Sequence, residues 1–251
     1  MRSRRIVTAV LAPLLLLASG TACSSSKKTE TITVFAASSL QGTFTTLGKQ
    51  FEQSHPHTKV VFNFGGSSTL ATSIVNGAPA DVFASASPKN MTTVVTANKA
   101  STSVVFTRNV LEIAVPPGNP QHITSLADLA RKGVKVALCD PKVPCGAIAA
   151  TVLANAKVTV TPTSLEPDVK STLAKVTLGE VDAAIVYVTD VLAAGTKVLG
   201  VVIPPAANAD TKYPIAEITG TKHATLAQAF IDLVTSAAGQ TVLRDAGFLT
   251  P

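Results

Sequence analysis

Five short stretches carry the residue types that could do chemistry. Ser38-Ser39 follows the apolar run at 32–37. Gly65-Gly66-Ser67-Ser68 follows the β-rich run at 59–64. Pro144-Cys145-Gly146 and Pro167-Asp168-Val169 each open a helical pattern, and Tyr187 ends the apolar run at 182–188. The chemistry they suggest is hydrogen-bond donation to an anion. The first N–H groups of a helix have no internal partner, and the helix dipole favours negative charge there. Serine adds a donor hydroxyl at little steric cost, and glycine lets the backbone approach closely. No Arg or Lys lies in these stretches, with Lys142 off to one side, so neutral donors would have to hold the anion. Taken singly, each has a plainer reading. Ser and Asp at helix starts are commonly caps, and a lone Tyr is commonly a core residue with a satisfied hydroxyl. The functional reading rests on all of them falling at helix starts or strand ends.

Other chemistries find less support. Ser39 or Ser67 as a nucleophile would need a base, and no GxSxG motif is present. His55, His57, His122 and His223 have no sequence reason to reach these stretches, so no enzyme is expected. Cys139 and Cys145 lie in LCDPKVPCG, where a bridge and two partly buried free thiols are both open readings. Their spacing lacks the paired CxxC or His partners of a zinc site.

The chain start sets the compartment. Arg2, Arg4 and Arg5 precede an apolar centre at 6–18, then Ser19-Gly20-Thr21-Ala22 and Cys23. This is an export signal, and a cysteine directly after small residues suggests a bacterial lipoprotein lipidated at Cys23. Gly20 stands where such motifs usually carry Leu. We expect a signal peptide at 1–22 and a flexible tether at 23–30. Of the 21 basic residues three belong to the signal, so against 15 acidic ones the formal charge of +6 falls to +3. With no basic stripe and few aromatics, a nucleic-acid partner is not expected. No later apolar run is long enough to span a bilayer.

The elements that must position the five stretches alternate strand, loop and helix. Runs at 59–64, 81–85, 134–138 and 182–188 read as strands. The segments after Ser39 (Leu40, Phe44, Leu47, Phe51), after Ser68 (Leu70, Ala71, Ile74, Val75) and from Pro88 to about Ala97 read as helices. A short helix is expected at 125–130, an Ala-rich helix at 146–155 and one helix within 163–180. Two helices close the chain. The 251 residues, 46% hydrophobic and 14% charged, suffice for two lobes. The predicted fold is α/β with two lobes, each a mixed, mostly parallel sheet flanked by helices. Extended crossings at 109–120 (NVLEIAVPPGNP) and 213–219 (YPIAEIT) join them. Lobe 1 takes 31–107 and 214–251, and lobe 2 takes 108–213. Ligands of open α/β sheets sit beyond the carboxyl ends of strands, so the five stretches should share a cleft that closes by hinge motion.

The runs ITVFAASSL, FGGSSTLATSIVNGAPADVFASAS, DPKVPCG, DVK and AIVYVTD together resemble the substrate-binding protein of bacterial molybdate ABC transporters, from about Thr31 to Phe248. The resemblance implies a type II periplasmic-binding fold holding molybdate or tungstate in the cleft, with no other cofactor. Molybdenum would be bound only as the oxyanion, without direct side-chain ligands. By motif, the ligand donors would be the hydroxyls of Ser39, Ser67 and Tyr187 and the backbone amides of Cys145 and Val169, with Ser38 and Ser68 as secondary candidates. Ser38 and Cys145 stand where the family often has Ala. The implied partners are an ABC permease with its cytoplasmic ATPase and, through Cys23, the outer face of the cell membrane. A monomer is expected. Another oxyanion such as sulfate is the alternative cargo.

Molybdate near neutral pH is a fully deprotonated tetrahedral dianion, which accepts hydrogen bonds and donates none. Phosphate keeps a proton and would want an acceptor. The carboxylates of Asp140 and Asp168 are therefore expected to turn away from the ligand. About seven bonds to a charged group, at roughly 1.5–3 kcal/mol each less the cost of closure, could reach sub-micromolar affinity.

Overall fold

The computed structural model describes residues 28–100 and 102–251. The expected signal peptide, Cys23 and all but the end of the tether lie outside them. No helix among the described residues is long and apolar enough to cross a membrane.

The chain runs β1 (Glu30–Ala37), a 3-10 turn (Ser38–Leu40), α1 (Gln41–Ser54), β2 (Thr58–Gly65), α2 (Ser67–Val75), β3 (Val82–Ala84) and α3 (Pro88–Thr96). It then crosses in the long β4 (Val104–Val115) and continues through β5 (Val136–Cys139), α4 (Pro144–Asn155), β6 (Ser164–Glu166), α5 (Val169–Thr177), β7 (Ala183–Tyr187), α6 (Val188–Ala194) and β8 (Leu199–Val202). It crosses back in β9 (Asp210–Glu217) and ends with α7 (Ala224–Thr235) and α8 (Ala237–Asp245).

The strands join in the order β2-β1-β3-β9-β4-β7-β5-β6, with β8 on the other edge of β4. β1 pairs in parallel with β2 and β3, and β5 in parallel with β6 and β7. β4 and β9 run antiparallel to their neighbours and carry the chain between the two halves. Residues 104–110 of β4 pair with β9, and residues 111–115 pair with β7 and β8. One strand thus serves both lobes, so a bend in it moves one against the other.

Period-two alternation decides which helix packs on which face. Ile32, Val34 and Ala36 of β1 point into a core shared with Phe44, Leu47 and Phe51 of α1 and Phe230 of α7. Phe35 and Phe83 point the other way, toward Leu70 and Ile74 of α2 and Met91 and Val94 of α3. Helices therefore cover both faces, and α7 and α8 return to the first lobe. The second lobe has its own core, in which Ile113, Ala184 and Ile185 of the sheet meet Val152 of α4 and Leu173 of α5.

Two short elements escape the sequence pattern. The helix expected within 163–180 is α5, with Val169, Leu173 and Val176 on its buried face, and the β6 strand before it is the first of them. β6 has three residues, too short to show a period, and exists because it pairs with β5 at the sheet edge. The seven residues of α6 form a helix directly after Tyr187, where only the strand was read. The short helix expected at 125–130 is present as a 3-10 helix, Leu126–Ala130, held by a Ser125–Asp128 capping box. The crossing strands also begin earlier than their apolar runs suggest, because ladder pairing between β4 and β9 does not need apolar side chains.

Candidate functional site

Ala37, Ser38, Ser39, Gly65, Gly66, Ser67, Ala86, Pro144, Cys145, Asp168, Val169 and Tyr187 line one small cavity between the lobes. The centre of a water-sized guest has only about 10 Å³ in it, far below the roughly 300–1,000 Å³ of pockets for organic ligands, so the space suits only a small guest. Among the described residues no Lys, Arg or His lines it. Larger hollows exist elsewhere. One beneath β8, lined by Val110, Val202, Ile203 and Pro205, is mostly apolar and gathers no comparable set of donors.

The serines at these helix starts are not caps. The 3-10 turn at Ser38, α1 and α2 all lack a side-chain cap bond. Ser67 is 1% exposed, and its Oγ accepts from the Ala86 N–H at 3.0 Å. A backbone amide can only donate, so the Ser67 proton is left to point into the cavity. Ser39 Oγ lies 3.0 Å from the Tyr213 hydroxyl in a buried contact. Ser38 also lines the cavity. Ser68 does not: one step along a helix turns a side chain by about 100°, and Ser68 faces away from the position Ser67 occupies.

The second lobe brings two helix starts and a strand end. At α4 the Pro144 ring takes the first helical position, and Cys145 follows at the cavity wall. Cys145 is disulfide-bonded to Cys139 at the end of β5, with Cα atoms 5.8 Å apart, which ties the start of α4 to the strand before it. At α5 Asp168 is the N-cap and accepts from the amides of Lys170 and Ser171 at 2.8 and 3.1 Å and from the Ser171 hydroxyl at 3.1 Å. Asp168 borders the cavity, but its carboxylate is thereby folded back onto its own helix. Asp140 lies outside the lining, and its carboxylate accepts from the Lys142 amide at 2.8 Å. Among the described residues the amides of Ser39, Ser67, Cys145 and Val169 have no acceptor. Tyr187 is 1% exposed, and its hydroxyl has no hydrogen-bond partner although it borders the cavity. Burial pushes the Tyr187 phenol well above its ordinary range, so it stays protonated and able to donate.

Behind this wall Asp190, fully buried, faces Lys170 at 2.9 Å and accepts from the Tyr187 amide at 3.2 Å. The Lys170 contact is an ion pair rather than a well-aligned hydrogen bond. Burial raises the Asp190 carboxyl, and the Lys170 charge works against that rise. The lobes touch at Gly66: a Cβ there would lie 2.5 Å from the Pro167 carbonyl oxygen across the cleft.

Sequence reasoning missed Tyr213, the Ala86 amide and the Lys170–Asp190 pair. Tyr213 alone left a signal, since the chain has only two tyrosines and the other is Tyr187.

Two lobes joined by two crossing strands and closed on a small cavity of neutral donors define a solute-binding protein. The chain belongs to the bacterial extracellular solute-binding protein family, whose signature matches residues 32–249. Within it, the chain groups with the substrate-binding proteins of molybdate ABC transporters. It is 42% identical over 221 residues to the molybdate-binding protein ModA of Mycobacterium tuberculosis, covering 88% of this chain and 85% of that one. The fold matches the periplasmic molybdate-binding protein of Azotobacter vinelandii with a TM-score of 0.76 at 22% identity, covering 88% of this chain and 99% of that one. It matches the sulfate-binding protein SubI of Mycobacterium tuberculosis with a TM-score of 0.79 at 20% identity, covering 87% and 86%. At these identities the two structural likenesses establish the fold alone. The relatives are binding proteins of transporters rather than enzymes.

Proposed function

We propose that this protein captures molybdate, and tungstate with it, outside the cytoplasmic membrane and delivers it to an ABC permease. The observation that carries this reading is the character of the cavity. It offers the hydroxyls of Ser39, Ser67 and Tyr187, with Ser38 beside them, and the unpaired amides of Cys145 and Val169. The carboxylate at its rim is engaged by its own helix. A donor-only pocket favours a tetrahedral dianion with no proton to give over hydrogen phosphate, which would waste its proton there. The metal centre of the guest is never touched; only its oxygens are.

In this reading β4 and β9 are the hinge, lobe 1 takes 31–107 and 214–251, and lobe 2 takes 108–213. Cys23 anchors the mature chain as a lipoprotein monomer through the tether at 23–30. This last part rests on the sequence of the leader.

The test is calorimetric titration of the mature protein with molybdate, tungstate, sulfate and phosphate at equal concentrations. Sub-micromolar binding of the first two, with phosphate and sulfate far weaker, is expected. Sulfate binding as tight as molybdate would move the assignment to a sulfate carrier.

A further inference from the structure

The two lining serines are not equivalent in what fixes their protons. At Ser67 the Ala86 amide settles the matter. At Ser39 the partner is another hydroxyl, 3.0 Å away, and either oxygen could donate. Were Ser39 to donate to Tyr213, it would turn lone pairs toward the cavity and repel an anion. The surroundings of Tyr213 decide the direction. Tyr213 is fully buried on β9, edge-on to Phe106 at 6.3 Å and Phe248 at 5.6 Å, so its ring cannot swing away. Burial pushes its phenol up, so it keeps its proton, and among the described residues Ser39 Oγ is the one hydrogen-bond partner its hydroxyl has. Were Tyr213 to accept from Ser39 instead, its own proton would be buried without an acceptor, whereas the Ser39 proton has the cavity to point into.

We infer that Tyr213 is a positioning residue of the cavity: its hydroxyl donates to Ser39 Oγ and thereby commits the Ser39 proton to the bound ligand. This rests on the oxyanion reading above and extends it. The pocket's preference for unprotonated anions would then be set partly from outside the pocket, by a side chain that touches no ligand. Tyr213 also sits on a crossing strand, with its ring 6.1 Å from that of Tyr187 in the other lobe. The Ser39 proton is therefore oriented at the same place where the lobes are joined.

The experiment is a double-mutant cycle by calorimetry on the mature protein: wild type, Tyr213→Phe, Ser39→Ala and the double variant, each titrated with molybdate, sulfate and phosphate. Phe keeps the ring packing, and a melting curve checks the fold. Tyr213→Phe should weaken molybdate and sulfate about tenfold and hydrogen phosphate much less, because a released Ser39 can accept as well as donate. In the Ser39→Ala background the same change should cost almost nothing. Equal losses with and without Ser39, or losses equal for all three anions, would overturn the inference and leave Tyr213 a packing residue. Unchanged molybdate affinity in Tyr213→Phe would overturn it too. Failure of the wild type to bind any of the three would instead sink the oxyanion reading, and this inference with it.

Discussion

At the scale of single residues, the site works by arranging which atoms have already spent their hydrogen-bonding capacity. Ser67 Oγ has accepted from Ala86, Asp168 has accepted from its own helix, and what faces the cavity is protons. A hydrogen bond to a charged partner contributes about 1.5–3 kcal/mol, and a tenfold change in affinity is about 1.4 kcal/mol. Ser39→Ala and Ser67→Ala should therefore each weaken molybdate binding about tenfold or more, read by titration. Wild-type affinity in both would remove these serines from the ligand shell. The question raised by paired hydroxyls at a strand-to-helix junction, cap or ligand donor, is answered against the cap, since neither α1 nor α2 draws on them.

At the scale of elements, the second lobe must hold the starts of α5 and α6 in fixed relation, because Val169 opens one and Tyr187 precedes the other. The Lys170–Asp190 pair does this. Lys170 is 30% exposed and Asp190 wholly buried, so removing the lysine strands a buried carboxylate. Lys170→Met should cost about 3 kcal/mol, the low end of what breaking a buried pair costs. The pH dependence has a definite sign. Burial raises the Asp190 carboxyl above its ordinary 3.8, so above that value the folded chain holds a proton the unfolded chain has released. Stability from this group is then full below about pH 3.8 and is lost as pH rises through the raised value. Without Lys170 the rise is larger, so melting curves should show a greater loss for Lys170→Met at pH 7.5 than at pH 4.5. An equal loss at both would mean the pair is not what holds the carboxylate.

At the scale of the whole molecule, affinity depends on two lobes meeting, and the meeting point is narrow. Gly66 in the loop before α2 lies so close to the Pro167 carbonyl that a methyl group there would sit 2.5 Å from it. In the proposed reading closure and ligand contact are one event, since Ser67 directly follows Gly66 and Val169 lies two residues past Pro167. Gly66→Ala should leave each lobe folded, with an unchanged melting temperature in the absence of oxyanion. It should weaken molybdate binding at least tenfold and enlarge the radius of gyration of the liganded protein in solution scattering. A variant that closes and binds as well as the wild type would show that the lobes have slack at this contact.

Much of this protein was legible in the order of its residues. The strand-and-helix alternation, the two crossings and the five donor-bearing stretches are local patterns, set by period and by turn chemistry within a few residues. Those are the ranges over which side-chain spacing alone determines the outcome. β6 and α6 escaped because three and seven residues carry too little period, and the first exists through its partner strand. The state of Cys139 and Cys145 could not be read from spacing; the turn that brings their Cα atoms to 5.8 Å decides it. Tyr213 beside Ser39 lies 174 residues away in sequence, and Asp190 meets Lys170 across two helices. Which lone pairs are occupied, and so which protons face the guest, depends on such long-range contacts. Only the folded chain decides them, because a hydrogen bond's direction is set by everything else its two atoms touch.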